Sequence, residues 1–102
     1  MDIKEISNDL LQQASQGDIQ AFEEIYKITS SFVYSMALRT IRNREDAQEI
    51  TQEVFLKIFK NLKDFKFRSS FKTWVYRITV NTALNFIKKA GHDRNRRRRR
   101  LS

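Results

Sequence analysis

A chain of 102 residues with no proline and two glycines has few ways to reverse direction tightly. Small strand-rich domains need several tight turns, and those turns draw on Gly, Pro, Asn-Gly or Asp-Gly. Neither dipeptide occurs, and no stretch sustains a period-two alternation of apolar and polar residues. The predicted fold is therefore all-α, a bundle of about four helices. The length allows one small domain, with a modest core that needs no staples.

Apolar spacing and capping residues place the helices. A short first helix is capped by Ser7 or Asn8, carries Leu10, Leu11 and Ala14, and stops at Gly17. Asp18 caps a longer second helix whose Phe22, Ile25, Tyr26, Phe32, Val33, Met36 and Ile41 recur three and four residues apart, one buried stripe. A third runs from about Glu45 to Leu62 on the stripe Ala47, Ile50, Val54, Ile58 and Leu62. After a connector of residues 63–69, Ser69 or Ser70 caps a fourth helix that continues to about Ala90 and ends at Gly91. That helix reads as buried on two sides: Phe71, Val75, Ile78, Thr82 and Phe86 on one, Tyr76, Val80, Ala83 and Ile87 on the other. Such a helix would be central to its bundle. The expected domain covers residues 1–91. Residues 92–102, with arginine from 96 to 100, read as a disordered tail or the start of a linker, because adjacent like charges do not pack.

Charge and composition narrow the function. The net charge is +8, and it is polarised. Residues 1–24 carry six acids and one lysine, whereas residues 66–102 carry twelve bases and one acid. One pole therefore seeks a polyanion, with nucleic acid the first candidate and an anionic membrane surface the second. The absence of cysteine excludes disulfides, thiolate metal sites and cysteine nucleophiles. The single histidine, His92, makes a histidine metal cage implausible, and His92-Asp93 resembles a metal dyad only superficially. No metal, cofactor or catalytic residue is expected. No apolar run approaches the ~18 residues that span a bilayer, and the amino end lacks the basic-then-apolar pattern of a signal peptide. The expected location is cytoplasmic.

Two surfaces carry chemistry. On the third helix, Asp46, Glu49, Gln52, Glu53, Leu56 and Phe59 fall opposite the core stripe or along its borders. A purely solvated face would hold charged and amide residues alone. A large aliphatic and an aromatic beside carboxylates read as scattered surface hydrophobes, as a second contact inside the bundle, or as an acidic-rimmed docking site for a protein. On the fourth helix, Ser70, Arg77, Asn81 and Lys88 form a narrow polar strip flanked by Trp74 and Asn85. Cations neutralise phosphates, asparagine pairs with base edges and an indole can stack; Trp74 also fits a plain core role. Two mid-helix asparagines cost helix propensity without an obvious packing return. In the connector, Phe65 and Phe67 alternate with Lys66 and Arg68, a pattern suited to an unpaired base. At least one of the two rings is expected to fold back into the bundle.

These residues resemble the second conserved region of bacterial sigma factors of the extracytoplasmic-function group. The matching text is residues 44–59 (REDAQEITQEVFLKIF), then Asp64-Phe65, then residues 69–85 (SSFKTWVYRITVNTALN), with residues 21–26 (AFEEIY) fitting the family's opening helix. The resemblance implies a four-helix domain that joins core RNA polymerase and recognises and helps melt the −10 promoter element; it implies no enzyme. It assigns Asp46, Glu49, Gln52, Glu53, Leu56 and Phe59 to the clamp coiled coil of the polymerase's largest catalytic subunit. Phe65, Lys66, Phe67, Arg68, Ser69, Arg77, Asn81, Asn85 and Lys88 are assigned to the non-template strand, with a flipped base taken by the loop. An anti-sigma factor is a further partner the resemblance implies. Many members carry Phe-Arg-Gly where this chain has Phe65-Lys66-Phe67, which removes backbone freedom from the loop. The family's helix-turn-helix domain for the −35 element finds no match in these residues. Two other readings stand beside this one: a general nucleic-acid or RNA binder driven by the arginine run, and a single-domain decoy that titrates polymerase or an anti-sigma factor.

Overall fold

The computed structural model describes the backbone of residues 2–66 and 69–101, and side chains through residue 89. A single 3-10 turn, Ile3–Glu5, precedes four helices: α1 (Asn8–Ser15), α2 (Ile19–Ile41), α3 (Arg44–Asn61) and α4 (Phe71–Leu101), with a second 3-10 turn, Leu62–Asp64, after α3. α4 continues through Gly91 to Leu101, so the expected helix stop at Gly91 is not observed; the side chains of residues 90–102 lie outside those described. No strand is present among the described residues. No helix there is long and apolar enough to cross a membrane.

Each helix starts where a short polar side chain can accept an otherwise unpaired backbone N–H. Ser7 Oγ accepts from Leu10 N at 3.1 Å, Asp18 Oδ1 from Ala21 N at 3.1 Å and Asn43 Oδ1 from Asp46 N at 3.0 Å. Ser70 Oγ accepts from Thr73 N at 3.1 Å, so Ser70 rather than Ser69 caps α4. Gly17, at φ 98°, turns the chain between α1 and α2, in a conformation open to glycine at no steric cost. Between α2 and α3 the same left-handed region is occupied by Arg42 at φ 56°, whose N–H bonds Leu38 O at 2.7 Å.

The core lies where α2, α3 and α4 meet. Ile25 and Val33 of α2, Ile50, Val54 and Ile58 of α3 and Val75 of α4 are wholly shielded from solvent. Ala37, Ala47 and Ala83, equally shielded, add little side-chain bulk at these contacts. Thr51 and Phe55 are buried as well, widening the α3 stripe beyond what its spacing suggested. Thr51, Thr79 and Thr82 satisfy their hydroxyls on the carbonyl four residues back, whereas Thr29, fully buried, has no partner for Oγ1 among the described residues.

Three further sequence expectations change. The helix packed most extensively on the others is α2, which contacts α1, α3 and α4, whereas α4 packs chiefly on α2 and α3. On α4 only Ala83 of the second apolar face is buried; Tyr76 and Ile87 are 46% and 40% exposed. Apolar periodicity reports that a helix has a greasy side, and among the described residues no element covers this one. Tyr26, expected in the α2 stripe, also faces solvent at 46% exposure.

Candidate protein-docking and nucleic-acid interfaces

At 3.6 residues per turn, residues 49, 53 and 56 project from the side of α3 opposite Ala47, Val54 and Ile58. The structure leaves that side bare. Leu56 is 70% and Phe59 61% exposed, and Glu49, Gln52 and Glu53 are exposed beside them. Asp46 is half-buried at the first turn, its backbone N–H held by the Asn43 cap. Glu45, which the sequence reading passed over, is exposed one turn before Glu49. None of these carboxylates has an ion-pair partner among the described residues. The Phe59 ring meets Phe22 of α2 edge-on at 5.0 Å, yet most of its surface stays in water. A second contact inside the bundle thus accounts for part of Phe59 and none of Leu56. Carboxylates around a bare aliphatic centre suit a basic protein surface.

The second surface begins at the start of α4. Arg77, Asn81, Asn85 and Lys88 are all exposed, and the amides of both asparagines have no hydrogen-bond partner among the described residues. From Arg77 to Lys88 the strip rises about 17 Å at 1.5 Å per residue. That length matches about five stacked nucleotide steps of 3.4 Å. Lys66 is exposed and Ser69 half-buried in the loop leading to the helix. Phe67 and Arg68 lie outside the described residues.

Phe65 requires a correction. Its ring is 9% exposed, 4.9 Å from Trp74 at a 32° tilt and 6.1 Å from Phe71. Trp74 and Phe71 are 5.9 Å apart, closing a three-ring cluster beneath the loop. A ring held on both neighbours has no open face for an unpaired base, so Phe65 is the fold-back ring and positions the loop. Trp74, half-buried in the same cluster, takes the core role its pattern also allowed.

Residues 25–93 match the Sigma-70 region 2 family, well over half the chain. The extracytoplasmic-function RNA polymerase sigma factor SigW of Bacillus subtilis is 32% identical over 83 residues, which cover 81% of this chain and 44% of that protein. The extracytoplasmic-function sigma-E factor of Escherichia coli K12 is 34% identical over 82 residues, 80% of this chain and 42% of that protein. The chain thus spans less than half the length of these relatives. An engineered region 2 of sigmaE, solved by NMR in complex with GTAAAA, superposes with a TM-score of 0.77 at 30% identity, covering 86% of this chain and 97% of that one. Fold, length of match and agreement of sequence converge: the chain belongs to the sigma-70 region 2 family, on its extracytoplasmic-function side.

Proposed function

We propose that this domain lends promoter specificity to RNA polymerase, docking on the core enzyme through the outer face of α3 and holding the unpaired non-template strand of the −10 element along α4. The observation that carries the DNA half is the row Arg77, Asn81, Asn85 and Lys88, exposed on one helix with both amides unpartnered. The solved likeness of 30% identity is itself bound to GTAAAA, which supports the same use of this fold here. Leu56 and Phe59, bare among carboxylates, support a protein partner at the other surface, and the clamp coiled coil of the largest polymerase subunit is the proposed one.

The two surfaces divide the work. Docking on α3 fixes the domain on the enzyme, and the cations of α4 and its loop neutralise phosphates. The asparagines then hydrogen-bond base edges that are accessible once the strands part. Opening is favoured because the open strand gains contacts the duplex does not, a shift set by the difference in affinity for the two states. The domain contributes binding and no bond-making step.

The test measures binding of the chain to bacterial core RNA polymerase, with and without residues 92–102. The expected results are unchanged polymerase affinity in the truncated chain and loss of binding in a Glu49→Lys, Glu53→Lys double variant. Retained binding by the charge-reversed variant refutes the α3 assignment. Nucleic-acid affinity that vanishes with residues 92–102, in a chain that never binds polymerase, would instead identify a tail-driven binder.

A further inference from the structure

Lys57 ties α3 to α4 by the one side-chain hydrogen bond that joins the two helices among the described residues. Its ammonium donates to Thr82 Oγ1 at 3.0 Å, and the Thr82 hydroxyl donates its own hydrogen to Ile78 O at 2.7 Å. Glu53 stands four residues before Lys57, and glutamate four residues ahead of lysine is the favoured order for an ion pair along a helix. That pair is not made. Glu53 is exposed, and neither side chain has an ion-pair partner among the described residues. The cation turns away from a carboxylate on its own helix and toward a neutral hydroxyl on the next, on a residue only 1% exposed.

A plain cross-link does not call for a charge. An ammonium has three donors, and with one acceptor among the described residues two of them are unused. Lys57 is half-buried, and withdrawing a charge from water is costly unless it is paired. A side-chain amide could tie the two helices without that cost. What the lysine adds is positive charge at one particular edge of α4.

That edge borders the strip already described. With 3.6 residues per turn, the order around α4 is Arg77, Lys88, Asn81 and Asn85, with Thr82 beyond Asn85. Asn85 lies one turn on from Thr82, a separation of about 5–6 Å between β-carbons. The two asparagines therefore stand between two cationic edges, Arg77 and Lys88 from α4 on one side and Lys57 from α3 on the other. Residues 71–89 contain no acid that would neutralise either edge.

Resting on the strand-binding reading above, we propose that Lys57 is a phosphate contact of the bound single strand, supplied by α3 and held in place by Thr82. A strand crossing the strip obliquely passes from Arg77 and Lys88 over the two amides and leaves on the α3 side. There the unused N–H groups of Lys57 take the oxygens of one phosphate, the counter-charge that the ammonium lacks within the domain.

The experiment compares Lys57→Met, which keeps the stem and removes the charge, with Thr82→Val, which removes the hydroxyl and leaves the charge. Both are made in the complete 102-residue chain, and each is read by affinity for a single-stranded −10 oligonucleotide across a salt series, by a thermal melt and by affinity for bacterial core RNA polymerase. For Lys57→Met the expected slope of log affinity against log salt is shallower by about 0.7, with affinity lower by roughly threefold or more. Thr82→Val should keep the parent slope, and both variants should keep the parent's polymerase affinity. An unchanged slope in Lys57→Met, with a lowered melting temperature in both variants, makes the bond a structural tie and overturns the proposal. Loss of polymerase affinity in Lys57→Met with strand affinity kept places Lys57 on the docking face and overturns it as well. If the Asn81→Ala, Asn85→Ala double variant binds the strand as the parent does, the strand reading itself falls and Lys57 with it.

Discussion

Truncating Phe65 separates its two readings, base platform and fold-back ring, by energy. The ring is 9% exposed and lies against Trp74 at 4.9 Å and Phe71 at 6.1 Å. Replacing a buried phenylalanine by alanine costs about 3–5 kcal/mol in transfer and cavity terms. The site borders a loop and can partly collapse, so Phe65→Ala is expected near 3 kcal/mol. For a domain of about 100 residues each kcal/mol moves the melting temperature by about 4–8 °C, so the midpoint should fall by well over 10 °C. Trp74 is the only tryptophan of the chain and stacks on the ring being removed, so denaturant unfolding followed by its fluorescence reads both the perturbed site and the global transition. At temperatures where the variant remains folded, single-strand affinity should change little. A base platform would behave inversely, losing about 1–3 kcal/mol of binding per stacked base at little cost in stability. A destabilisation below 1 kcal/mol accompanied by lost DNA binding would refute the placement of Phe65 in the core.

Other expectations follow from single residues. Asn81→Ala and Asn85→Ala should each weaken binding of a single-stranded −10 oligonucleotide by the ~1–3 kcal/mol of a good base contact. The same variants should melt no lower than the parent, because alanine is the better helix former; fluorescence anisotropy and thermal melts give the two readings. Arg77→Ala should reduce the slope of log affinity against log salt by about 0.7, the share of one phosphate contact on a single strand, and an unchanged slope would remove Arg77 from the backbone contacts. Thr29→Val replaces a fully buried hydroxyl that has no partner among the described residues by a methyl of similar shape. It should stabilise the fold by about 1 kcal/mol, as read by chemical denaturation.

The helix starts and most of the core were legible because each rests on local chemistry. A short polar side chain before an apolar run is a strong cap signal, and Ser7, Asp18 and Ser70 all act so. The bare side of α3 was legible for a related reason: Leu56 and Phe59 lie off a stripe that Ala47, Ile50, Val54 and Ile58 already fill. What stayed hidden depends on contacts far apart in sequence. Tyr76 and Ile87 recur at helical spacing like core residues, but spacing does not say whether another helix covers them. Nothing in the local pattern marks Phe65 as a core ring, and only its packing against Trp74 and Phe71 shows that it folds back. Arg42 ends α2 in a conformation usually left to glycine, so no residue type announced that turn.

The central claim is that α4 holds strands that have already separated. Its most direct test is the affinity of the chain for a single-stranded non-template −10 oligonucleotide against the same sequence as duplex, at one salt concentration. The expected result is at least a tenfold preference for the single strand, kept when residues 92–102 are removed and lost in the Asn81→Ala, Asn85→Ala double variant. Equal affinity for both forms, or a preference indifferent to the two asparagines, would contradict it.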